Sequence, residues 1–192
     1  AGWKDSNGNG IRDKNGIEMQ IVFQTSVNPL RQKTQQVIKQ TLQQLGIGVE
    51  LKSIDPSVLF SSDPANPDTL ERFYADLAMF TTGNSNPDPT QYMQTFTCDA
   101  IPQASNHWTG DNFGRYCNPN YDKLWRSVLT ELNPSKRQQL FIAMNDLLIN
   151  DYALVPLVHR ADVVGVSQGL TGVALTPWDR NTWNIQDWQR QN

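Results

Sequence analysis

The sequence predicts an α/β protein in which a βαβ-containing mixed sheet is flanked by helices. Apolar side chains alternate over residues 17–25 and again over 49–54, which is typical of strands. Between these segments, apolar side chains recur at helical spacing over residues 30–45. Strand, helix and strand in such a short stretch form a βαβ unit, so the two strands should be parallel.

Each predicted helix begins with an Asn or Asp followed by proline. The acid or amide side chain can accept hydrogen bonds from the first free N–H groups, and proline fits the first helical position. Gly46 suits the end of the first helix because it tolerates the left-handed conformation. The predicted helices cover residues 29–45, 56–61, 89–96, 119–132 and 134–150.

Three further strands are predicted, over residues 75–80, 153–158 and 162–167. A polar loop follows the first of them, and ligands of open α/β sheets bind beyond the carboxyl ends of the strands. We therefore select this loop as ligand-facing, with plain loop structure as the alternative. Trp108 is a further candidate, either stacking on a ligand or shielding its own loop. The loop candidates are Thr81, Thr82, Gly83, Asn84 and Ser85.

Composition excludes several classes of function. The 192 residues include 16 Lys and Arg against 19 Asp and Glu, so the basic face that a nucleic-acid binder needs is not expected. Only two histidines are present, and the sequence contains neither a GxSxG elbow nor a Walker loop. We therefore expect no enzymatic activity and no required cofactor, with a hydrolase of unrecognised nucleophile as a distant alternative.

The two cysteines, Cys98 and Cys117, lie in a stretch without periodicity. A disulfide closing this loop would constrain the unfolded chain by roughly 3 kcal/mol and indicate an oxidising compartment. Two unrelated buried thiols, or a metal site, are the alternatives.

The opening segment carries oxygen ligands at alternate positions before a glycine, as in an EF-hand calcium loop. Gly16 stands where the final bidentate acid is expected, so Glu18 would have to replace it. Two interpretations remain open, a weak calcium site and a plain turn segment. The candidate calcium ligands are Asp5, Asn7, Asn9, Asp13 and the backbone carbonyl of Ile11.

Four stretches together resemble the C-terminal lobe of family 5 extracellular solute-binding proteins, the dipeptide and oligopeptide receptors of ABC importers. The resemblance covers nearly the whole chain, and it rests on the order and spacing of the stretches. They are the Gly-Trp-Lys-Asp segment at 2–16, the helix and Leu-Gly-Ile-Gly-Val strand at 31–51, Asp76-Leu77-Ala78 with Asn86-Pro87-Asp88-Pro89, and Tyr116–Leu124 with Arg137 and Leu154–Leu157.

The resemblance implies one lobe of a type II periplasmic-binding-protein fold, whose two lobes close on a peptide or similar solute. Residues 1–17 would then be a polar linker, 18–168 the α/β lobe, and 169–192 a Trp-rich tail returning toward the N-terminal lobe. The implied partners are that N-terminal lobe, the solute and an ABC permease. The implied location is periplasmic or extracellular, and lipid anchoring of the full-length protein is left open. The missing initial Met fits a fragment.

The resemblance also bears on the solute. Typical peptide receptors of the family carry a tryptophan and then an aspartate in this loop, and the aspartate pairs with the amino terminus of the peptide. Thr82 and Ser85 occupy those positions here. A hydroxyl cannot supply the charge-assisted bond that a buried ammonium requires. Two alternatives follow: peptides with a free amino group are not the ligands, or another acid takes over this role. The alternative function is a calcium-stabilised extracellular interaction module without a small-molecule cleft.

Overall fold

A computed structural model describes residues 1–83, 86–161, 163–177 and 179–191. The chain divides into two compact units, each of which is built from separate stretches of sequence. Unit 1 comprises Ala1–Thr82 and Thr95–Cys117, and unit 2 comprises Gly83–Gln94 and Asn118–Asn192.

Unit 1 contains a three-stranded parallel sheet with β3 in the middle, between β4 and β5. The helix α1 connects β3 to β4, so the predicted βαβ unit is confirmed. Antiparallel pairing occurs in separate two-stranded sheets. The strands of unit 1 are β1 (Asp13–Lys14), β2 (Ile17–Glu18), β3 (Gln20–Ser26), β4 (Gly48–Ile54) and β5 (Leu77–Met79), and its α-helices are α1 (Pro29–Gln44) and α2 (Pro56–Leu59).

The ends of α1 follow the sequence signals. The side chain of Asn28 accepts hydrogen bonds from the backbone N–H groups of Leu30 and Arg31, with Pro29 in the first turn. Gly46, with φ of 77°, ends the helix, and the N–H of Ile47 returns to the carbonyl of Leu42. Asp55 caps α2 in the same manner as Asn28 caps α1.

A buried apolar cluster in unit 1 brings together the end of β4, α2 and the stretch before β5. Ile54 at the end of β4, Leu59 in α2 and Leu70 are buried together, and the rings of Phe80 and Phe113 meet edge to face with centroids 5.9 Å apart. The stretch after Thr95 thus supplies part of the core that the first stretch of unit 1 begins. This packing fixes the end of β5, from which the candidate ligand loop departs.

A tight hairpin joins β1 to β2 at Asn15 and Gly16. Both residues have positive φ, 55° and 77°, as the two-residue type I′ turn requires. The opening segment, which the sequence analysis interpreted as a calcium site or a plain turn, thus contains the short strand Asp13–Lys14. The Asn-Gly pair was the signal for it, because this pair is the preferred sequence of that turn.

Unit 2 is built around two packed helices, α4 and α5. Tyr121 and Val128 of α4 and Met144 and Leu148 of α5 are buried, as their amphipathic spacing predicts. The unit contains α3 (Thr90–Gln94), α4 (Pro119–Val128), α5 (Pro134–Asn150), β6 (Leu170–Thr171) and β7 (Gln189–Arg190).

The strands predicted over 153–158 and 162–167 are not present among the described residues of these ranges. Alternating apolar residues suit a strand only where a neighbouring strand takes up the backbone hydrogen bonds, and in the described structure these segments have no such neighbour. Asp162 lies outside the described residues. Val155, Val158 and Val163 are 69%, 77% and 90% exposed.

The tail folds back on itself through the buried side chain of Asn184. Its amide donates to the carbonyl of Gly172 at 2.6 Å, and its oxygen accepts from the indole N–H of Trp188 at 3.0 Å. Trp183 is 46% exposed and donates its indole N–H to Ala174. Trp178 lies outside the described residues. In the part of the chain that is described, no helix is both long and apolar enough to cross a membrane.

Candidate ligand-binding site

The candidate ligand loop begins where β5 ends, at the carboxyl edge of the parallel sheet. Thr81, Thr82 and Gly83 are exposed, while Asn84 and Ser85 lie outside the described residues. The loop thus starts where open α/β folds bind ligands. Its role in binding stays a prediction.

An arginine from α1 holds the first residue of this loop in unit 1. Arg31 donates one N–H to the hydroxyl of Ser26 at 2.7 Å and another to the hydroxyl of Thr81 at 3.1 Å. The contact to Thr81 spans 50 residues of sequence, so no local pattern could have indicated it. A guanidinium can make both bonds at once because its N–H groups form a rigid fork.

A second arginine holds the residue that closes the loop in unit 2. Arg137 of α5 donates to the carboxylate of Asp88 at 2.6 Å, and it also donates to the hydroxyl of Thr90 and the carbonyl of Val128. The Arg137 guanidinium lies 5.1 Å from the centroid of the Phe141 ring. One side chain therefore connects the end of the loop, α3, α4 and α5.

The electrostatics of Asp88 are set mainly by Thr90. The hydroxyl and the backbone N–H of Thr90 both donate to the carboxylate, and these bonds lower the pKa of Asp88. Arg137 lowers the pKa of Asp88 further, through its hydrogen bond and its charge. Asp88 is therefore ionised at neutral pH and available to both partners.

A surface groove of about 690 Å³ runs beside Asp88 in unit 2. Trp125 lines it and donates its indole N–H to the carbonyl of Thr90 at 3.4 Å. Trp125 lies at helical spacing from the buried Tyr121 and Val128, which favours a core position, whereas its side chain is only half-buried. The other residues that line the groove are Asn86, Pro87, Thr90, Gln91, Gln94 and Leu129.

Trp108 lies in unit 1 under the guanidinium of Arg72, whose central carbon is 4.1 Å from the centroid of the indole ring. Arg115 approaches the same ring at 6.0 Å. Arg115 also donates to the carbonyls of Pro102, Glu71 and Arg72, so the two arginines bind this loop to the stretch before β5. One face of the indole is thus covered by an intramolecular partner. The ligand role of Trp108 stays a prediction.

The candidate calcium ligands lie in one loop, where their side-chain oxygens accept hydrogen bonds from backbone N–H groups. The carboxylate of Asp5 accepts from the backbone of Gly8, Asn9 and Gly10. Asn7 accepts from the N–H of Asn9, and Asn9 accepts from that of Ile11. Asp13 accepts from the hydroxyl and N–H of Ser6, and both bonds lower the pKa of Asp13.

Glu18, the substitute for the missing acid, accepts from the side-chain amide of Asn9 at 2.6 Å. Within the described ranges, no three His, Cys, Asp or Glu side chains are grouped so that they could hold a metal ion. Calcium binding remains a prediction from the sequence.

The disulfide between Cys98 and Cys117 is present, with the two Cα atoms 4.6 Å apart. Inside the loop that it closes, the side-chain amide of Asn112 donates to the carbonyls of Thr97 and Tyr116. Asn112 is buried, so this loop is ordered by an internal polar anchor as well as by the covalent link.

The sequence of this chain matches the model of the bacterial extracellular solute-binding proteins, family 5 Middle, over residues 1–103. Among curated proteins, it is 25% identical to the oligopeptide-binding protein AppA of Bacillus subtilis over 98% of this chain and 32% of that protein. It is also 25% identical to a dipeptide-binding protein of Pseudomonas aeruginosa, over 56% of this chain and 19% of that protein. The chain therefore spans at most about a third of the length of these two relatives.

Solved structures share the fold. AppA of Bacillus subtilis, in complex with a nonapeptide, matches all of this chain and 35% of its own, with a TM-score of 0.70 and 21% identity. An oligopeptide-binding protein of Thermus thermophilus, complexed with a pentapeptide, matches 90% of this chain and 30% of its own, with a TM-score of 0.76 and 23% identity.

NikZ of Campylobacter jejuni, in complex with Ni(L-His), matches 98% of this chain and 36% of its own, with a TM-score of 0.74 and 16% identity. The family match covers more than half of the chain, and the βαβ sheet agrees with the fold of these neighbours, which are type II periplasmic binding proteins. The chain belongs to the bacterial extracellular solute-binding proteins of family 5.

Proposed function

We propose that the chain is part of a receptor that binds a peptide or a similar small solute and delivers it to an ABC permease. The observation that carries the proposal is the polar loop at the carboxyl edge of the parallel sheet, in a chain of family 5 whose relatives are named for peptide binding. The loop begins with exposed hydroxyl groups at Thr81 and Thr82. Such groups suit hydrogen bonding to a peptide backbone.

The relatives are binding proteins rather than enzymes, which supports a role without chemical turnover. The two histidines, His107 and His159, are both exposed and lie far apart in sequence. A calcium-stabilised interaction module without a cleft is not favoured, since the curated relatives are named as peptide-binding proteins.

The solute is a peptide or a compound of similar polarity, with Ser85 at the position where the family resemblance expects an aspartate. We propose that the receptor does not depend on a free amino terminus in its ligand. A serine hydroxyl can accept a hydrogen bond from an ammonium group, but it has no negative charge and so cannot form the ion pair that an aspartate would supply.

Isothermal titration of the complete receptor with a free and an N-acetylated nonapeptide of the same sequence tests both proposals. We expect binding of both peptides with dissociation constants that differ by less than about tenfold. Loss of binding on acetylation would contradict the second proposal. Absence of binding by either peptide, and by pentapeptides, would contradict the first.

We also propose that a second lobe of the receptor pairs with the stretch that follows α5. Two segments there have strand-like sequences, and the valines at 155, 158 and 163 are largely exposed. Unpaired apolar segments with strand-like sequences favour pairing with another strand. Amide hydrogen exchange over residues 153–161 tests the proposal, since exchange should be slower in the complete receptor than in this chain alone. Equal rates would contradict it.

The proposal also covers the cellular location of the receptor and the binding of calcium to its opening loop. The receptor acts in the periplasm or outside the cell, in keeping with its family and its disulfide, and a lipid anchor is one means of retention there. The opening loop binds calcium weakly, and calcium is not required for folding, because backbone N–H groups already donate hydrogen bonds to the side-chain oxygens of Asp5 and Asn7. Thermal melting with a chelator should leave the melting temperature unchanged.

A further inference from the structure

Three Asn-Gly pairs lie in the opening segment of unit 1, at residues 7–8, 9–10 and 15–16. Asparagine before glycine is prone to deamidation, because glycine has no side chain to hinder attack by its backbone nitrogen. The glycine nitrogen loses its proton and bonds to the side-chain carbonyl carbon of the asparagine, while the side-chain nitrogen leaves as ammonia. Water then opens the cyclic imide at either of its two carbonyls, which yields aspartate or isoaspartate. Because the three pairs share this local chemistry, the fold decides their relative rates.

The glycine nitrogens of the first two pairs are both held by the carboxylate of Asp5. The N–H of Gly8 donates to one carboxylate oxygen at 2.7 Å, and the N–H of Gly10 donates to the other at 2.9 Å. A glycine nitrogen attacks only after it has lost its proton, and a carboxylate that accepts the N–H stabilises the protonated form. Asp5 therefore opposes ring closure at both pairs.

The side chains of the same two asparagines are restrained as well. The side-chain oxygen of Asn7 accepts from the N–H of Asn9 at 3.0 Å, and that of Asn9 accepts from the N–H of Ile11 at 2.9 Å. The amide nitrogen of Asn9 also donates to Glu18 at 2.6 Å. Attack requires each side chain to turn toward the following glycine nitrogen, so these bonds must break before the ring can close.

The third pair, Asn15 and Gly16, lacks these restraints. Within the described ranges, neither the side chain of Asn15 nor the N–H of Gly16 has a hydrogen-bond partner, and both residues are exposed. They form the turn of the β1–β2 hairpin, in which each strand is two residues long. The ring places the Gly16 nitrogen and the Asn15 side chain on the same side of the bond between them, so the turn must open first. So short a hairpin opens easily.

We propose that Asn15 is a site of spontaneous deamidation in this protein, and that Asp5 protects Asn7 and Asn9 from the same reaction. One carboxylate thereby decides which of three chemically equivalent pairs is modified. The aspartate product keeps the hairpin, because Asp-Gly also suits a type I′ turn. The isoaspartate product does not keep it, since the side-chain methylene has entered the backbone and the pairing of β1 with β2 is lost.

The test incubates the complete receptor at mildly alkaline pH, folded in buffer and unfolded in concentrated urea. Mass spectrometry of its peptides follows each pair separately. In the folded receptor, we expect Asn15 to deamidate about tenfold faster than Asn7 or Asn9, which is the effect of one hydrogen bond to a charged group. In urea the three rates should be similar. If Asn15 is equally favoured in urea, the preference comes from the sequence and the proposal is wrong.

The variant Asp5→Ala tests the protecting carboxylate directly. It should raise the rates at Asn7 and Asn9 about tenfold and leave the rate at Asn15 unchanged. The matched control is Asp63→Ala, which removes a carboxylate that accepts a backbone N–H elsewhere in unit 1 and should change none of the three rates. Two further results would overturn the proposal. One is a folded receptor in which Asn15 reacts no faster than the other two, and the other is an Asp5→Ala variant in which both protected rates are unchanged.

Discussion

The guanidinium of Arg72 lies 4.1 Å from the centre of the Trp108 indole. His107 and Trp108 both have positive φ, 56° and 61°, a conformation that costs energy for residues other than glycine. Contacts of the side chain must offset that cost, and the stack with Arg72 is one of them. Trp108 is therefore held as part of unit 1 whether or not a ligand is present.

Replacement of Trp108 by alanine should lower the free energy of unfolding by about 1–3 kcal/mol, through loss of the stack and of buried apolar area. Urea unfolding measures this change. Trp108→Phe keeps an aromatic face for Arg72 and should lose less. If instead Trp108→Ala keeps full stability but binds peptide more weakly, the indole serves the ligand and not the fold.

Removal of the Cys98–Cys117 disulfide should lower the free energy of unfolding by about 3 kcal/mol, because the unfolded chain regains the freedom of the closed loop. The double variant Cys98→Ser/Cys117→Ser, unfolded in urea, measures it. Addition of a reducing agent should not destabilise the double variant further. Equal stability of the variant and the oxidised parent would contradict the prediction.

Two buried glutamines should respond in opposite ways to replacement by leucine. The side-chain nitrogen of Gln24 has no hydrogen-bond partner among the described residues, whereas that of Gln35 donates to the carbonyls of Phe23 and Lys52. Gln24→Leu should raise the free energy of unfolding by about 1 kcal/mol, since an unsatisfied amide leaves the interior.

Gln35→Leu should lower the free energy of unfolding by about 1–3 kcal/mol, because it leaves the carbonyl of Phe23 without this donor. Both side chains are 2% exposed or less, so the pair controls for burial. Chemical unfolding of the two variants decides the prediction. A loss of stability in both variants would show that the amide of Gln24 is satisfied in solution.

Acid should weaken the fold through aspartates whose pKa is lowered in the native state. Hydrogen bonds from Thr90 lower the pKa of Asp88, and those from Ser57 lower the pKa of Asp55. A carboxyl with a lower pKa when folded stabilises the fold above its unfolded pKa of about 4. This contribution disappears as the pH falls through the folded value.

Thr90→Val removes the hydroxyl donor and should raise the pKa of Asp88 toward its usual value, while the backbone N–H keeps part of the shift. Ser57→Ala should do the same for Asp55 and leave Asp88 unchanged. Titration of the carboxyl carbon signals by NMR measures both. An Asp88 that titrates identically in Thr90→Val and in the parent would contradict the assignment.

The helices and the central strands could be predicted because their signals are local. Asn28 with Pro29, and Asn133 with Pro134, mark helix starts by side-chain chemistry that acts within one turn. Residues 153–158 could not be assigned in this way, since a strand also depends on a partner segment that local sequence does not reveal.

In the candidate site, too, some features follow from local sequence and others depend on segments that are distant in sequence. The polar loop after β5 was located from the order of strand and turn signals, a local property of the sequence. The sequence did not indicate the two arginines that hold the ends of the loop. Arg31 and Thr81 are 50 residues apart in sequence, and Arg137 and Asp88 are 49 apart. The arginines themselves carry no motif, and only the fold brings them to the loop.

The disulfide also determines which fragments stay covalently joined after cleavage by a protease. Its two cysteines enclose the exposed His107, at a turn with positive φ, and Cys117 is the last residue of unit 1. A single cut between the cysteines leaves both halves of the polypeptide covalently joined, and only reduction separates them. A cut outside them releases a fragment at once. Electrophoresis with and without reductant therefore distinguishes a nick in this loop from one elsewhere.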